Sequence, residues 1–391
     1  MTNYEKMLEE IRGLGMEPKW SKMFVKKLSD DEKDFPMTDE QKQWAMERGF
    51  FPGRIELYGL NESNYRDYVP DYYYFMLHPM NHHFRIWVND KLTLKYVLNS
   101  SECRDAMPEY YLYVENDGSY TYLMDCPDII AKDQNFLWNL LHEKKMLAMK
   151  PNSGTSGGLG FIKLEINEEG VLLENNHPID MSRFETIEAS MRNYVVTEYV
   201  HQHKELARIW PDSECTLRVI MCKDVKEDSH APAHWSCVAS FARFGSSLNG
   251  GASNLSAGGV GVGFDYESGQ YNSRAVRYRR FCPDGNWRIS KHPDTHAEWA
   301  GSSIPHWPEV REKIEQICQY ISSLSYIGLD IIITNEGMKL CEINTHPALD
   351  YAQVISGPAL RHANQRDFFV SKGLYRFDGR DFYQAYLKCQ E

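Results

Sequence analysis

The stretch spanning residues 329–347 limits the possible folds of this chain more than any other, because two β-branched, apolar runs flank a short polar loop. Leu329-Asp330-Ile331-Ile332-Ile333-Thr334 and Met338-Lys339-Leu340-Cys341-Glu342-Ile343-Asn344 lie on either side of Asn335-Glu336-Gly337. Gly337 can supply the positive φ that a tight turn demands, so the stretch reads as a β-hairpin. With residues 335–337 as the loop, Thr334 pairs with Met338 and Asp330 stands directly opposite Glu342. Strand alternation puts Asn344 on the same face. Like charges opposite each other destabilise a strand pair, so this face is expected to hold something positive. The all-oxygen set of Asp330, Glu342 and Asn344 suits Mg²⁺, with Mn²⁺ as a substitute. The competing reading is a two-residue loop, which slips the register by one and parts the two carboxylates.

Elsewhere the 391 residues are ordinary for a globular chain, 42% hydrophobic and 25% charged, with length enough for more than one core. A formal charge of −12 speaks against a broad basic surface, so no nucleic-acid partner is expected. The first ten residues lack the apolar core of a secretion signal, and no apolar run reaches the roughly 18 residues of a membrane span, so a cytoplasmic location is expected. The nine cysteines are scattered without a Cys-x-x-Cys pair, as suits reduced thiols. His82-His83 and His201-Gln202-His203 have no ligands at finger spacing, which argues against structural zinc.

In chain order, residues 1–88 alternate charged helical stretches with aromatic-rich turns, and residues 70–75 read as an apolar segment that docks on the rest. A helix capped by Asn89 or Asp90 follows, with Lys91 in its first turn. Residues 110–114 and 120–124 suggest a short hairpin. Residues 147–150 form a strand ending in Lys150. A loop of Ser153, Gly154, Thr155, Ser156, Gly157 and Gly158 leads from it into a second strand. Such a loop brings backbone N–H groups and hydroxyls close to phosphate oxygens, and Lys150 adds a point charge. It matches neither a Walker A loop nor a Rossmann turn, and a plain surface hairpin remains its alternative. Residues 194–200 form a β-rich run whose exposed end can pair with an adenine edge, and Glu205 can accept from ribose hydroxyls. Residues 215–222, 235–244, 258–266 and 273–280 read as antiparallel strands. Arg218 and Arg243 lie inside them, where a charge calls for either a structural acid or an anionic substrate. The glycine-rich residues 250–263 run into a strand, so a dinucleotide fingerprint fails there. Residues 308–326 form an amphipathic helix leading into the hairpin.

This order of signals, from Lys91 and Lys150 through the Gly-rich loop and Thr197-Glu198-Tyr199-Val200 to Asp330 and Glu342-Ile343-Asn344, resembles the ATP-grasp superfamily. The likeness is strongest to the sugar-transfer-associated ATP-grasp proteins, on Lys150-Pro151 before the loop, Thr216-Leu217-Arg218, the Gly-Gly strand entry and the Asp…Glu-Ile-Asn ending. The resemblance implies an α+β fold in which two α+β subdomains clasp ATP behind an N-terminal helical, aromatic-rich region. Residues 1–88 would form that region, 89–202 the nucleotide-binding subdomain, and 203–391 the Mg²⁺-binding catalytic subdomain with a C-terminal extension. It further implies that Lys91, Lys150 and the loop from Ser153 hold phosphates, that Glu198, Tyr199 and Val200 line the adenine, and that Glu205 reaches the ribose. Asp330, Glu342 and Asn344 would hold the metal, with Arg218, Arg243 and Asn254 at the reacting groups. The implied activity is an ADP-forming carboxylate-amine ligase acting on small molecules through an acyl phosphate. A phosphotransferase on the same fold and a non-catalytic nucleotide-binding protein are the alternatives.

Overall fold

The computed structural model describes residues 2–153, 159–226, 230, 232–249 and 253–390. Two antiparallel sheets dominate it. The first contains β1 (Tyr110–Val114), β2 (Tyr120–Tyr122), β3 (Met146–Pro151), β4 (Ile162–Ile166), β5 (Leu172–Glu174), β6 (His177–Pro178) and β7 (Tyr194–Glu198), in the order β2-β1-β7-β3-β4-β5-β6. The second contains β8 (Thr216–Lys223), β9 (Trp235–Phe244), β10 (Val260–Phe264), β11 (Tyr271–Val276), β12 (Arg288–Ile289), β13 (Tyr326–Thr334) and β14 (Gly337–Asn344), in the order β12-β11-β10-β9-β8-β13-β14. This is the α+β architecture expected from the sequence, with helices in the N-terminal region.

Alternation sorts the second sheet into two faces. Ile327, Leu329, Ile331 and Ile333 point into a core shared with the helix Trp307–Tyr320, whose Val310, Ile314 and Ile317 are buried against them. On the other face Tyr326 packs beneath the terminal helices, while Asp330 and Ile332 further along line an open cleft. The first sheet has its own core, covered by the helices Phe136–Lys144 and Met181–Ser190.

The hairpin arrives at the expected facing pair by a different route. Thr334 pairs with Gly337 and not with Met338, so the loop is the two-residue Asn335-Glu336. That shorter loop alone would slip the register by one residue. A bulge between Asp330 and Ile331 on one side and Leu340 and Glu342 on the other leaves Cys341 unpaired and restores Asp330 opposite Glu342.

The N-terminal helices Asn3–Gly13, Pro18–Asp34 and Asp39–Met46 do not stand apart. They pack with Asp71–Met76 and with the C-terminal helix Gly379–Gln390 over the second sheet. A buried ionic knot pins this layer. Arg54 reaches Asp31 at 3.0 Å and Asp71 at 2.9 Å, and Lys27 reaches Asp350 at 2.6 Å. Replacing Arg54 by Met would leave Asp31 and Asp71 buried without their cation. The expected cost is about 3–5 kcal/mol, read as a lower urea midpoint, and an unchanged midpoint would contradict the knot.

Candidate functional site

One asparagine ties Lys91 and Lys150 to a common support. Asp90 caps the helix Lys91–Asn99 by accepting from the Thr93 N–H at 2.8 Å. Asn152, two residues beyond Lys150, then grips that helix terminus. Its carbonyl accepts from the Lys91 N–H at 3.2 Å, its Oδ1 from the Leu92 N–H at 2.9 Å, and its Nδ2 donates to Asp90 Oδ2 at 2.5 Å. The same helix lies beside β14, so Lys91 Nζ comes within 3.9 Å of Glu342 Oε2. Burial lowers the Lys91 pKa below the ordinary lysine value, with Glu342 opposing the shift and Lys150 reinforcing it.

The acidic face assembles as the register requires. Asn344 Nδ2 lies 3.1 Å from Glu342 Oε1 and 3.4 Å from Asp330 Oδ2, so two carboxylates and a carboxamide converge. Burial and the neighbouring Asp330 charge raise Glu342 above the usual carboxylate range. For Asp330, burial acts in the same direction, but Arg218 and Arg243 outweigh it and hold the group well below that range. Arg218, on the neighbouring β8, donates through Nε to Asp330 Oδ1 and through Nη2 to Oδ2 at 2.9 Å. Arg243, from β9, brings Nη2 to 3.0 Å from the same Oδ2 and donates from Nε to Thr216 Oγ1 at 3.0 Å. The acid that both strand arginines meet is therefore Asp330 itself. Asp330 and Glu342 present carboxylate oxygens, and Asn344 would add its Oδ1 by turning over the amide that now donates to them, an oxygen set that suits Mg²⁺ shared with a phosphate. Among the described residues no group of three or more His, Cys, Asp and Glu gathers, because the third donor here is an amide.

Of these residues, Lys91, Arg243, Asp330 and Glu342 line a cleft of about 420 Å³ between the sheets, large enough for a nucleotide-sized ligand, whereas Arg218 and Asn344 lie outside its lining. Lys91, Lys150, Tyr199, Val200, Arg243, Asn254, Asp330 and Glu342 line it. Ser153 is exposed where the loop begins, and Gly154, Thr155, Ser156, Gly157 and Gly158 lie outside the described residues. Glu198 turns away from this cleft, its Oε1 3.7 Å from Lys339 Nζ, in a separate depression. Glu205 also lies elsewhere, because the short helix Lys204–Ala207 turns it outward to Arg208 at 2.9 Å.

The acid that does face the cleft beyond Tyr199 is Glu214, with Asp212 near it. Gln202 builds that loop. Its Nε2 donates to the carbonyls of Trp210 at 2.9 Å and Ser213 at 3.0 Å, its Oε1 accepts from the Cys215 N–H at 2.9 Å, and its own N–H donates to Glu214 Oε2 at 2.5 Å. Burial raises Glu214 above the ordinary glutamate value, against the Gln202 N–H. The sequence signal for it was an acidic pair just ahead of the Thr216-Leu217-Arg218 strand.

The two hairpin acids differ in what they cost to remove. Asp330→Asn strands two buried guanidiniums and is expected to lose about 3–5 kcal/mol. Glu342→Gln removes a like-charge contact and is expected to change stability by less than about 1 kcal/mol. Urea titrations of both variants check this, and equal losses would contradict the charge assignment.

Residues 75–367 match the family described as sugar-transfer associated ATP-grasp. No curated protein sequence matches the chain. Among solved structures, N5-carboxyaminoimidazole synthetase from Staphylococcus aureus in complex with ADP is similar at 10% identity and a TM-score of 0.39, covering 74% of this chain and 52% of its own. D-alanyl-alanine synthetase A from Vibrio cholerae is similar at 12% identity and a TM-score of 0.34, covering 77% and 64%. The VanG D-Ala:D-Ser ligase from Enterococcus faecalis is similar at 10% identity and a TM-score of 0.38, covering 73% and 61%. The chain thus spans less than two thirds of the length of each of them. With a match running from the last turns of the N-terminal helices to the C-terminal ones, this chain belongs to the sugar-transfer associated ATP-grasp family.

Proposed function

We propose that the protein is an Mg²⁺-dependent, ADP-forming ligase that joins a small-molecule carboxylate to an amine. The observation that carries this reading is one cleft in which Lys150 from the first sheet, Lys91 from the bridging helix and the Asp330-Glu342 pair of the second sheet meet, with Asn344 in contact with Glu342 behind them. Two lysines suit the phosphates of ATP, and the oxygen set suits a cation shared with those phosphates. Tyr199 and Val200 line the cleft where a base would lie, and Glu214 offers an acceptor for ribose hydroxyls.

Bound Mg²⁺ would neutralise phosphate charge as it moves between groups. The chain's residues hold and orient the rest. Lys91 and Lys150 fix the phosphate chain, and Arg243 sits where it can take a carboxylate or a transferring phosphoryl group, with Asn254 beside it. The substrate carboxylate oxygen takes the γ-phosphoryl group and ADP leaves. The amine then attacks the acyl carbon, loses a proton, and expels phosphate. Positioning and charge neutralisation are sufficient for such a transfer, so a nucleophilic side chain is not required.

The test is phosphate release from Mg-ATP by the purified protein, offered pools of amino acids, other carboxylates and amino sugars, the sugars chosen because the family is described as sugar-transfer associated. Acceptor-dependent ADP and phosphate in equal amounts, with a condensed product, is the expected result. Glu342→Gln should lower that turnover by about 100-fold or more while the protein stays folded. A phosphorylated acceptor without free phosphate would replace the ligase with a phosphotransferase.

A further inference from the structure

The short helical turn between Asn81 and Asn89 shows solvent a face that neither the core nor the cleft uses. The turn is pinned at both ends to Thr345, the residue after β14. Asn81 Nδ2 donates to the Thr345 carbonyl at 3.1 Å, and Thr345 Oγ1 donates to Asn89 Oδ1 at 3.0 Å. Between those anchors Val88 is buried, whereas Ile86 is 63% and Trp87 56% exposed. Phe84 packs edge-on against Trp87, with ring centroids 5.8 Å apart, and supports the outward-facing indole. Single exposed apolar residues are ordinary, but here two stand side by side, and Trp87 is the one tryptophan among the large exposed hydrophobics of the described residues.

The surroundings of this pair are cationic in a chain whose formal charge is −12. No Asp or Glu lies between Asp71 and Asp90, and none lies between Glu17 and Asp30, a stretch with four lysines. That second stretch belongs to the helix Pro18–Asp34, which comes alongside through Trp20, its ring 5.0 Å from that of His346 next to Thr345. Of the four lysines, Lys27 turns in to Asp350, Lys26 pairs with Asp30, and Lys22 faces solvent. Lys19 Nζ rides 4.8 Å above the Trp20 ring, on the His346 side of the helix. Arg85 donates to the His82 carbonyl. Neither Lys19 nor Arg85 has an ion-pair partner among the described residues.

Area and charge decide what such a face can hold. Two partly exposed apolar side chains offer roughly 300 Å² at most, well short of the roughly 800 Å² per partner that a stable protein–protein interface buries. An interfacial anchor needs less: a tryptophan at headgroup depth, an aliphatic neighbour, and cations that meet anionic headgroups. No helix among the described residues is long and apolar enough to cross a membrane, so contact of this kind lies on the membrane surface.

We propose that the Arg85-Ile86-Trp87 turn, with Lys19 beside it, is a docking site for an anionic lipid surface. Ile86 and Trp87 enter the headgroup layer, and Arg85 and Lys19 meet the lipid phosphates. The same surface repels the rest of the acidic chain, so one orientation is selected and the attraction weakens with salt. The site is independent of the ligase reading.

Co-sedimentation of the full chain with lipid vesicles tests this. Phosphatidylcholine vesicles with about 30% phosphatidylglycerol are compared with phosphatidylcholine alone, in about 0.1 M and about 0.5 M salt. Binding at least about 10-fold tighter to the anionic vesicles at low salt is expected, reduced at high salt. It should weaken about 10-fold or more in the Ile86→Ser/Trp87→Ser and Lys19→Ala/Arg85→Ala variants, whose urea midpoints should match the wild type. Tyr375→Ser, which removes an equally exposed ring from the Leu374–Arg376 turn, should bind as the wild type does. No binding to either vesicle, equal binding to both, or an unaffected double variant would overturn the docking site. A concentration-dependent dimer that the Ile86→Ser/Trp87→Ser change dissolves would assign the face to a second copy and overturn it as well.

Discussion

A carboxylate lies in the middle of a fully buried strand, and much of the architecture follows from keeping it charged there. All nine residues of β13 are buried, Asp330 among them. An unpaired charge in that position would be strongly destabilising. The sheet order supplies the cations, because β8 pairs with β13 in a register that sets Arg218 beside Asp330, and β9 pairs with β8 so that Arg243 reaches across. Once Asp330 is held by two guanidiniums, Glu342 is the acid left facing it with the weaker claim on positive charge, its one ion pair among the described residues being Lys91 at 3.9 Å. The site is thus graded, with one fixed anion, one anion whose charge depends on its surroundings, and an amide between them.

The edge strand and the loop ends do the rest of the assembly. β14 is the last strand of its sheet, and an exposed edge invites unwanted pairing. The helices Ile86–Asn89 and Lys91–Asn99 lie against it, and Lys339 donates to the Asp105 and Met107 carbonyls at 3.0 and 3.2 Å. The cover that protects the edge is the element that delivers Lys91. Asn152 joins that element to β3, so Lys91 and Lys150 share one hydrogen-bonded support.

Much of the site was legible because the hairpin, the strand-borne lysine and the arginine-bearing strands are local patterns. The facing pair was reached from a loop one residue too long, and the bulge at Cys341 offset the difference. No periodicity in the run Leu340-Cys341-Glu342 announces such a bulge. Glu205 was set at the ribose by the family resemblance, whereas a single helical turn directs it to Arg208. Glu214 is placed by Gln202, whose four hydrogen bonds link residues too far apart in sequence for a motif. The N-terminal layer was the least legible part. Its partners lie hundreds of residues away, as in the Tyr58 hydroxyl donating to the Asp350 carbonyl at 3.1 Å and Gln353 Nε2 donating to the Val69 carbonyl at 3.1 Å. Aromatic side chains there report burial but not what they are buried against.

The most direct measurement on the hairpin is the affinity of the wild-type protein and the Glu342→Gln variant for ADP, each titrated with Mg²⁺ and again with EDTA. A nucleotide-bound cation held by Asp330, Glu342 and Asn344 requires ADP to bind at least about 10-fold tighter with Mg²⁺ in the wild type, and that advantage to disappear in the variant while metal-free affinity is retained. The same affinity with Mg²⁺ and with EDTA, or an equal Mg²⁺ advantage in both proteins, would contradict a metal site on this hairpin.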